Sequence, residues 1–550
     1  MGLLDKVMYE VAPGRLEKRM RARENIHRME GTMKFHDASG RVMDLLMPEE
    51  PKVTNSGYSH SGASRKGKWA KFWESKSGSA KEDIEKNRKL LRERSRDLSM
   101  NSPLGAAAVG TVRTNCVGQG LLPKPKLDYE YLDISKEEAR ELEKKIRNEF
   151  SLWAESTLCD NNDQNNFYEL QQIAFMDWLR NGEEFVLIKY VDELPYMPYQ
   201  LRLKLVEADR ISTPGSLDGD YDGFDEVKKN GNRIVNGVEI SKDGKVEAYY
   251  ISSKYPDEES FGEKTDWKRV VKRGEKTGNP NILHIFNAER AEQYRGVPFL
   301  APVIEPVKQL SRYTEAEIMA AVLNSMFAIF ITTDNAEGLD GFGGDDESSE
   351  EDVPEEKDED IEIGTGTVHF LKTGEGVQPV SVSHPSQNFD DFTKAMAKYI
   401  GAALEIAPEV LLKEFHNNFS ASKGAMNESW RAFKMRRKWF VDDFCQEVYM
   451  LWLSEAVSKG RIHAPGFFNN PMIRKAYSNC RWNGPTQGQI DPGKEVTAAA
   501  QRVKEGFSTR EDECAAMNGS DFEDNARTLE KENQMLKIAN GETGGDNEKD

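Results

Sequence analysis

The stretch from Val307 to about Phe330 constrains this chain more than any other. Pro298, Pro302 and Pro306 argue against a continuous helix upstream of it, and Pro306 suits a first-turn position, where a missing N–H costs nothing. Nothing breaks the pattern after that, so a helix of about 36 Å is predicted. Its later half is apolar on nearly every side, with Ile318, Val322, Met326 and Phe330 on one row and Met319, Leu323 and Phe327 on the next. Such a helix must be buried by neighbours. Taken alone it reads as a central core helix. The near-apolar run Ile318–Ile331 is interrupted by Asn324 and Ser325 and is too short to span a bilayer, so no membrane is expected.

The chain has 550 residues, enough for two to four domains, yet 38% are hydrophobic and 31% charged, more surface than a compact globule needs. Seventy-five basic against 94 acidic residues give a net charge of −19, which disfavours a sequence-reading DNA binder that lives by phosphate neutralisation. Ordinary acidic solubility and an acidic surface past which a polyanion slides both remain open. Five scattered cysteines, Cys116, Cys159, Cys445, Cys480 and Cys514, show no C-x-x-C spacing, so neither a zinc site nor a disulfide framework is indicated.

Along the chain, residues 1–80 read as a polar, basic arm. A helical pattern begins at Lys81 with Ile84, Leu91 and Leu98 near one face; Asn101-Ser102-Pro103 then caps a second helix, from Leu104 to about Cys116. Phe167 to Arg180 has helical spacing and is stopped by Asn181-Gly182. Strands are expected at Phe185–Ile188, Leu201–Val206, Gly237–Ile240, Glu247–Ile251 and Asn281–Phe286, forming a small β-rich insertion over roughly 183–296. Asp345 to Glu362 holds twelve acidic residues and one lysine, the profile of a solvated insertion. Beyond it a strand is expected at Thr367–Leu371, a turn at Thr373–Gly376 and a helix at Phe389–Leu404. A long helical element at about Ser420–Lys459 and shorter helices follow, before a polar tail.

Motifs for chemistry fail on inspection. Gly62 to Lys68 fits G-x-x-x-x-G-K, but Trp69 stands where a Ser or Thr must hold Mg²⁺ and no strand precedes it. Asp218, Asp220, Asp222 and Gly223 imitate an EF-hand loop whose twelfth position is Lys229 instead of Glu. The histidines are dispersed, and His284 in ILHIF reads as a packed or hydrogen-bonded core residue. No catalytic residue, metal site or cofactor is expected.

Several phrases, taken in order, carry a family resemblance. RERSRDLSMNSPLGAAAVGTVRTNCVGQG (92–120), NGEEFV (181–186), VEADRI (206–211) and NGVEISKDGKVEAYYI (236–251) come first. ILHIFNAERAEQYRGVPFLAPVIEPVKQLSRYTEAEIMAAV (282–322), GTVHFLKTGEGVQPV, RWNGP (481–485) and IDPGKE (490–495) follow. Together they resemble the lambda family of phage portal proteins, over roughly Lys81 to Glu530. One departure is Lys423 in Ser420–Gly424, where the family usually has an arginine.

The resemblance implies an α+β, mainly helical portal fold of wing, stem, clip and crown, assembling as a ring, generally a dodecamer. It places an arm at 1–80, wing at 81–166, stem helices at 167–182 and 297–331 around a clip at 183–296, wing again at 332–439, crown at 440–530 and a tail at 531–550. It implies no enzymatic activity. The chain would be one subunit of a channel at the portal vertex of a virion, assembled in the host cytoplasm, through which double-stranded DNA is packaged and ejected. Terminase large subunit, a head completion or adaptor protein, major capsid protein and scaffold are the implied partners. The loop 380–389 corresponds to a tunnel loop, with His384, Gln387 and Asn388 suited to weak phosphate contact; an exposed turn made by Pro385 and Ser386 is the other reading. Lys394 and Lys398 on the next helix either contact phosphate or form a solvated face. A nucleic-acid-processing enzyme of a mobile element, or another structural head protein, are the alternatives.

Overall fold

The computed structural model describes residues 77–215, 226–227, 230–256, 258, 265–326, 330–333, 375–378, 389–415, 419–489 and 491–540. Within them the chain is α+β and mostly helical. The helices are α1 (Arg88–Asn101), α2 (Pro103–Cys116), α3 (Tyr129–Leu132), α4 (Lys136–Ala154), α5 (Phe167–Asn181), α6 (Ile304–Met326), α7 (Phe389–Ala403), α8 (Pro408–Leu412), α9 (Phe419–Phe440), α10 (Gln446–Ser458), α11 (Pro471–Ser478), α12 (Pro492–Lys504), α13 (Arg510–Met517) and α14 (Phe522–Ala539).

The helix boundaries follow local chemistry. Ser102 caps α2 by accepting from the Gly105 amide, with Pro103 in the first turn. Asn166 and Glu169 form a capping box at the start of α5, and Gly182, at φ 88°, ends it. α1 differs from its sequence reading in what it buries. Ile84 and Leu91 are only half-buried, while Arg88, Arg92, Ser95 and Ser99 join Leu98 inside.

The strands are β1 (Leu122–Pro125), β2 (Glu183–Tyr190), β3 (Leu201–Glu207), β4 (Glu226–Val227), β5 (Arg233–Val235), β6 (Val238–Ile240), β7 (Val246–Ser252), β8 (Trp267–Val271), β9 (Ile282–Phe286), β10 (Phe330–Thr333), β11 (Glu375–Gln378) and β12 (Cys480–Asn483). They form a three-stranded sheet, β3-β2-β9, a five-stranded meander, β4 to β8, and two-stranded pairs β1-β12 and β10-β11, all antiparallel. One face of β3-β2-β9 packs through Val186, Leu203 and Ile285 into the main core with α2, α4, α5, α9 and α10. The other face, through Phe185, Val206 and Ile282, packs on Tyr249 and Ile251 of the meander as a second core. Period-two alternation on β2 therefore serves two cores at once.

Four expectations need correction. The long apolar helix starts at Ile304 and ends at Met326, and Phe330–Thr333 is a strand: the β-branched and aromatic run FITT pairs with Glu375–Gln378. That pairing also places Glu375 and Gly376 in a strand instead of a turn. The element around Ser420–Lys459 is interrupted by a π-helical turn, Val441–Cys445. The C-terminal segment from 531 is helical as far as Ala539. β1 and β12 were not foreseen. The strand at Thr367–Leu371, the acidic run, the P-loop-like and EF-hand-like segments and most of the arm lie outside the described residues.

Candidate functional site

α6 leaves the core within its own length. Val307 is fully buried, Leu310 packs against the core, and Tyr313 stacks on Phe389 with ring centroids 5.7 Å apart and meets Phe392 edge-on at 4.8 Å. One turn further on, Ile318 is 60% exposed and Met319 57%. Among the described residues, the helix predicted to need neighbours leaves these two apolar side chains largely uncovered.

α5 and α6 flank the strand module, and the two chain crossings that enter and leave it lie back to back. A Cβ on Gly296 would sit 2.0 Å from the Gly182 carbonyl oxygen, and one on Gly182 would meet the Val297 backbone at 2.4 Å. Only glycine fits at either place.

Beside this crossing, Glu183 and Arg295 are both fully buried and paired, Arg295 Nε lying 2.8 and 2.9 Å from the two Glu183 oxygens. The Gly296 amide donates to Glu183 Oε2 at 2.9 Å, and Arg88 Nη1 approaches Oε1 at 3.4 Å. Arg295 also donates to the carbonyls of Ala208 and Ile211, each at 3.0 Å, and of Asn236. Burial alone would raise the Glu183 carboxyl, but Arg295, His284 and Arg88 outweigh it and hold it well below the usual range. Burial, with Arg295 and Arg92 nearby, pushes Arg88 down to about 9. His284 behaves as the sequence suggested. It stacks between Phe185 and Phe286, at 4.1 and 4.2 Å, and its Nε2 lies 3.0 Å from Glu183. Burial lowers its pKa against the pull of Glu183, and its ring bridges the two phenylalanines and the carboxylate within a buried polar network.

The next residue has the opposite fate. Glu184 points to the other face of β2, is fully buried, and neither carboxylate oxygen meets a side-chain donor. Glu207 stands directly across the ladder from it, and Asp177 of α5 is close enough to act on it. Burial, then Asp177 and Glu207, raise the Glu184 carboxyl well above the ordinary value. Burial and Glu207 likewise push Asp177 up to about 7, against Arg180 and Arg96.

Of the residues singled out in the sequence, Lys394 binds Asp390 one turn back at 2.7 Å, and Lys398 is exposed on the same helix beside Glu405. His384, Gln387 and Asn388 lie outside the described residues. Sequence reasoning missed the Glu183–Arg295–Arg88 hub and the Asp177–Glu184 pair. The available signal was two adjacent glutamates opening an otherwise apolar strand. Among the described residues no group of three or more His, Cys, Asp or Glu is placed to hold a metal ion, and no helix is long and apolar enough to cross a membrane.

Comparison with known proteins follows the same lines. Portal protein B of Escherichia phage lambda is 25% identical over 492 residues, covering 85% of this chain and 88% of its relative. The portal protein of Escherichia phage N15 is 24% identical over 486 residues, with the same coverage. Among solved structures, the neck of the native gene transfer agent particle computed with C12 symmetry covers 78% of this chain and 94% of its own, at 12% identity and a TM-score of 0.38. The neck of the empty particle computed with C6 symmetry covers 79% and 94%, at 13% and 0.40. A family model described as phage portal protein, lambda family, matches residues 66–437, more than half of the sequence. The chain belongs to the lambda family of phage portal proteins.

Proposed function

We propose that copies of this chain close into a ring, a dodecamer, around a channel for double-stranded DNA at the portal vertex of a virion. The observation that carries this reading is the apolar surface of α6 at Ile318 and Met319, which the described residues leave largely exposed. A heterologous, head-to-tail contact that closes on itself covers that surface in every subunit and leaves none over. Burying what remains exposed of two such side chains contributes roughly 1 kcal/mol each.

In this reading α5 and α6 are the two stem helices, and the strand module between Gly182 and Gly296 is the clip. The clip docks the terminase large subunit during packaging and a head completion or adaptor protein afterwards. Scaffold and major capsid protein meet the ring during head assembly in the host cytoplasm. The chain hydrolyses nothing itself, and DNA contact is sequence-independent, made by the loop 380–389 and the adjoining face of α7.

The test is particle mass and negative-stain microscopy of the full-length chain beside the double variant Ile318→Lys/Val322→Lys. Rings are expected for the parent and smaller species for the variant, whose exposed substitutions leave the fold intact by circular dichroism. A parent that stays monomeric at high concentration, or a variant that forms rings in full yield, refutes the proposal.

A further inference from the structure

α14 is an 18-residue helix in which no residue is buried. It is nonetheless fixed at one end. Asp521, just ahead of the helix, pairs with Lys124 at 2.7 Å, Glu523 with Arg140 at 2.6 Å and Asp524 with Arg147 at 2.9 Å, so the first turn is fastened to β1 and α4.

At 100° per residue, Glu523 and Asp524 project to one side of the helix, and Phe522, Ala526, Leu529, Asn533 and Leu536 form a stripe on the opposite side. Phe522, Ala526, Leu529 and Asn533 of that stripe line an open groove of about 680 Å³, flanked by Glu530, Gln534 and Lys537 and with Cys514 of α13 at its edge. Leu529 and Leu536 are 55% and 57% exposed. The eleven residues 540–550, NGETGGDNEKD, contain no apolar side chain to lay over it.

We infer that the Phe522–Leu529–Leu536 stripe of α14 is a helix–helix contact surface occupied by the same helix of a second copy of this chain. This rests on the ring reading above and adds a contact separate from α6. Three observations select a second copy. The apolar spacing is seven residues, the repeat by which helices pack along one another, and it runs for about 21 Å. Asn525 and Asn533 border or interrupt the stripe, and a polar residue in such a seam fixes register between like helices, where a partner's flat surface has no use for one. The ion pairs to α4 and β1 give α14 the same exit direction in every subunit, so rotational symmetry presents each stripe to its neighbour at one height.

The experiment uses the full-length chain. Asn533→Cys places a thiol in the stripe and Ile538→Cys places one about 140° round the helix; each is treated with a short bismaleimide and run on a denaturing gel beside the parent, which reports the background from Cys480 and Cys514. Particle mass is measured on the same samples. Each chain carries one new thiol, which couples once, so Asn533→Cys is expected to give a cross-linked dimer at least five-fold above background, Ile538→Cys none, and Leu529→Lys/Leu536→Lys added to Asn533→Cys is expected to abolish the dimer while rings persist through α6. Rings without a cross-linked dimer overturn the stripe contact and leave the ring reading standing. Absence of both rings and dimer overturns both. A dimer that survives the double lysine variant, or a thiol that couples only to an added head or tail protein, also overturns the inference.

Discussion

Replacing Asp177 by Asn should stabilise this protein, and by an amount that depends on pH. The carboxyl sits at the end of α5 against β2 and β3, facing Glu184 and Glu207 on the acidic side and Arg180 and Arg96 on the basic side. Burial and Glu207 raise it from 3.8 to about 7, roughly three units at 1.4 kcal/mol each, which sets a ceiling of about 4 kcal/mol. Between pH 4 and 7 the unfolded chain has lost this proton and the folded chain has kept it. The folded state therefore binds more protons, and stability falls as pH rises through that window. Asn keeps the shape and has no proton to hold. The difference between variant and parent is expected to be about 1.5 kcal/mol at pH 5, to grow by about 1.4 kcal/mol per unit, and to level off above pH 7 at no more than about 4 kcal/mol. Urea unfolding at pH 5, 6, 7 and 8, at one protein concentration and followed by tryptophan fluorescence near Trp178, measures it. A flat difference across that range, or a variant less stable than its parent at pH 8, would mean that Asp177 is ionised and usefully paired with arginine, and the reasoning would be wrong.

Other outcomes follow from the same junction and from the C-terminal helices. Arg295→Ala leaves Glu183 buried without its main partner and should cost about 3–5 kcal/mol in chemical denaturation; Arg295→Lys should recover little, because one ammonium cannot replace the guanidinium fork and its carbonyl contacts. Gly296→Ala drives a methyl into the Gly182 carbonyl and should lower the thermal midpoint by several degrees or abolish soluble expression, whereas Gly488→Ala, where a Cβ meets nothing, should change neither. The pairs that hold α14 are part-exposed and worth at most about 1 kcal/mol apiece, so raising salt from 0.1 to 1 M should speed tryptic cleavage between Lys504 and Arg510 several-fold while cleavage at Arg436 and Arg437 in α9 stays unchanged.

What the sequence made legible was whatever is decided locally. α2 and α5 are bounded by caps and stop signals lying within a few residues of their ends, and Ser102, Asn166 and Gly182 act as their chemistry dictates. β1 and β12 escaped notice for the converse reason: LPKP carries two prolines and CRWN is four residues long, and each is a strand only because the other, more than 350 residues away, supplies its ladder. FITT was absorbed into the preceding helix because a continuous apolar run has no period to tell strand from helix, and its partner at Glu375 could not be foreseen.

The same distinction explains why the buried charges were invisible and the uncovered helix was not. Glu183 and Glu184 are chemically identical neighbours, yet strand alternation sends one to Arg295, 112 residues further on, and the other to a site lined by carboxylates. Nothing within reach of a local reading separates an ion held far below its ordinary pKa from an acid held far above it. The apolar rows of α6 needed no partner to be recognised, because a helix apolar all round makes a demand that its own sequence states in full. The described residues meet that demand as far as Tyr313 and leave Ile318 and Met319 largely exposed. In the proposed ring these are the side chains that the next subunit covers, because a closed head-to-tail contact buries the same surface in every copy.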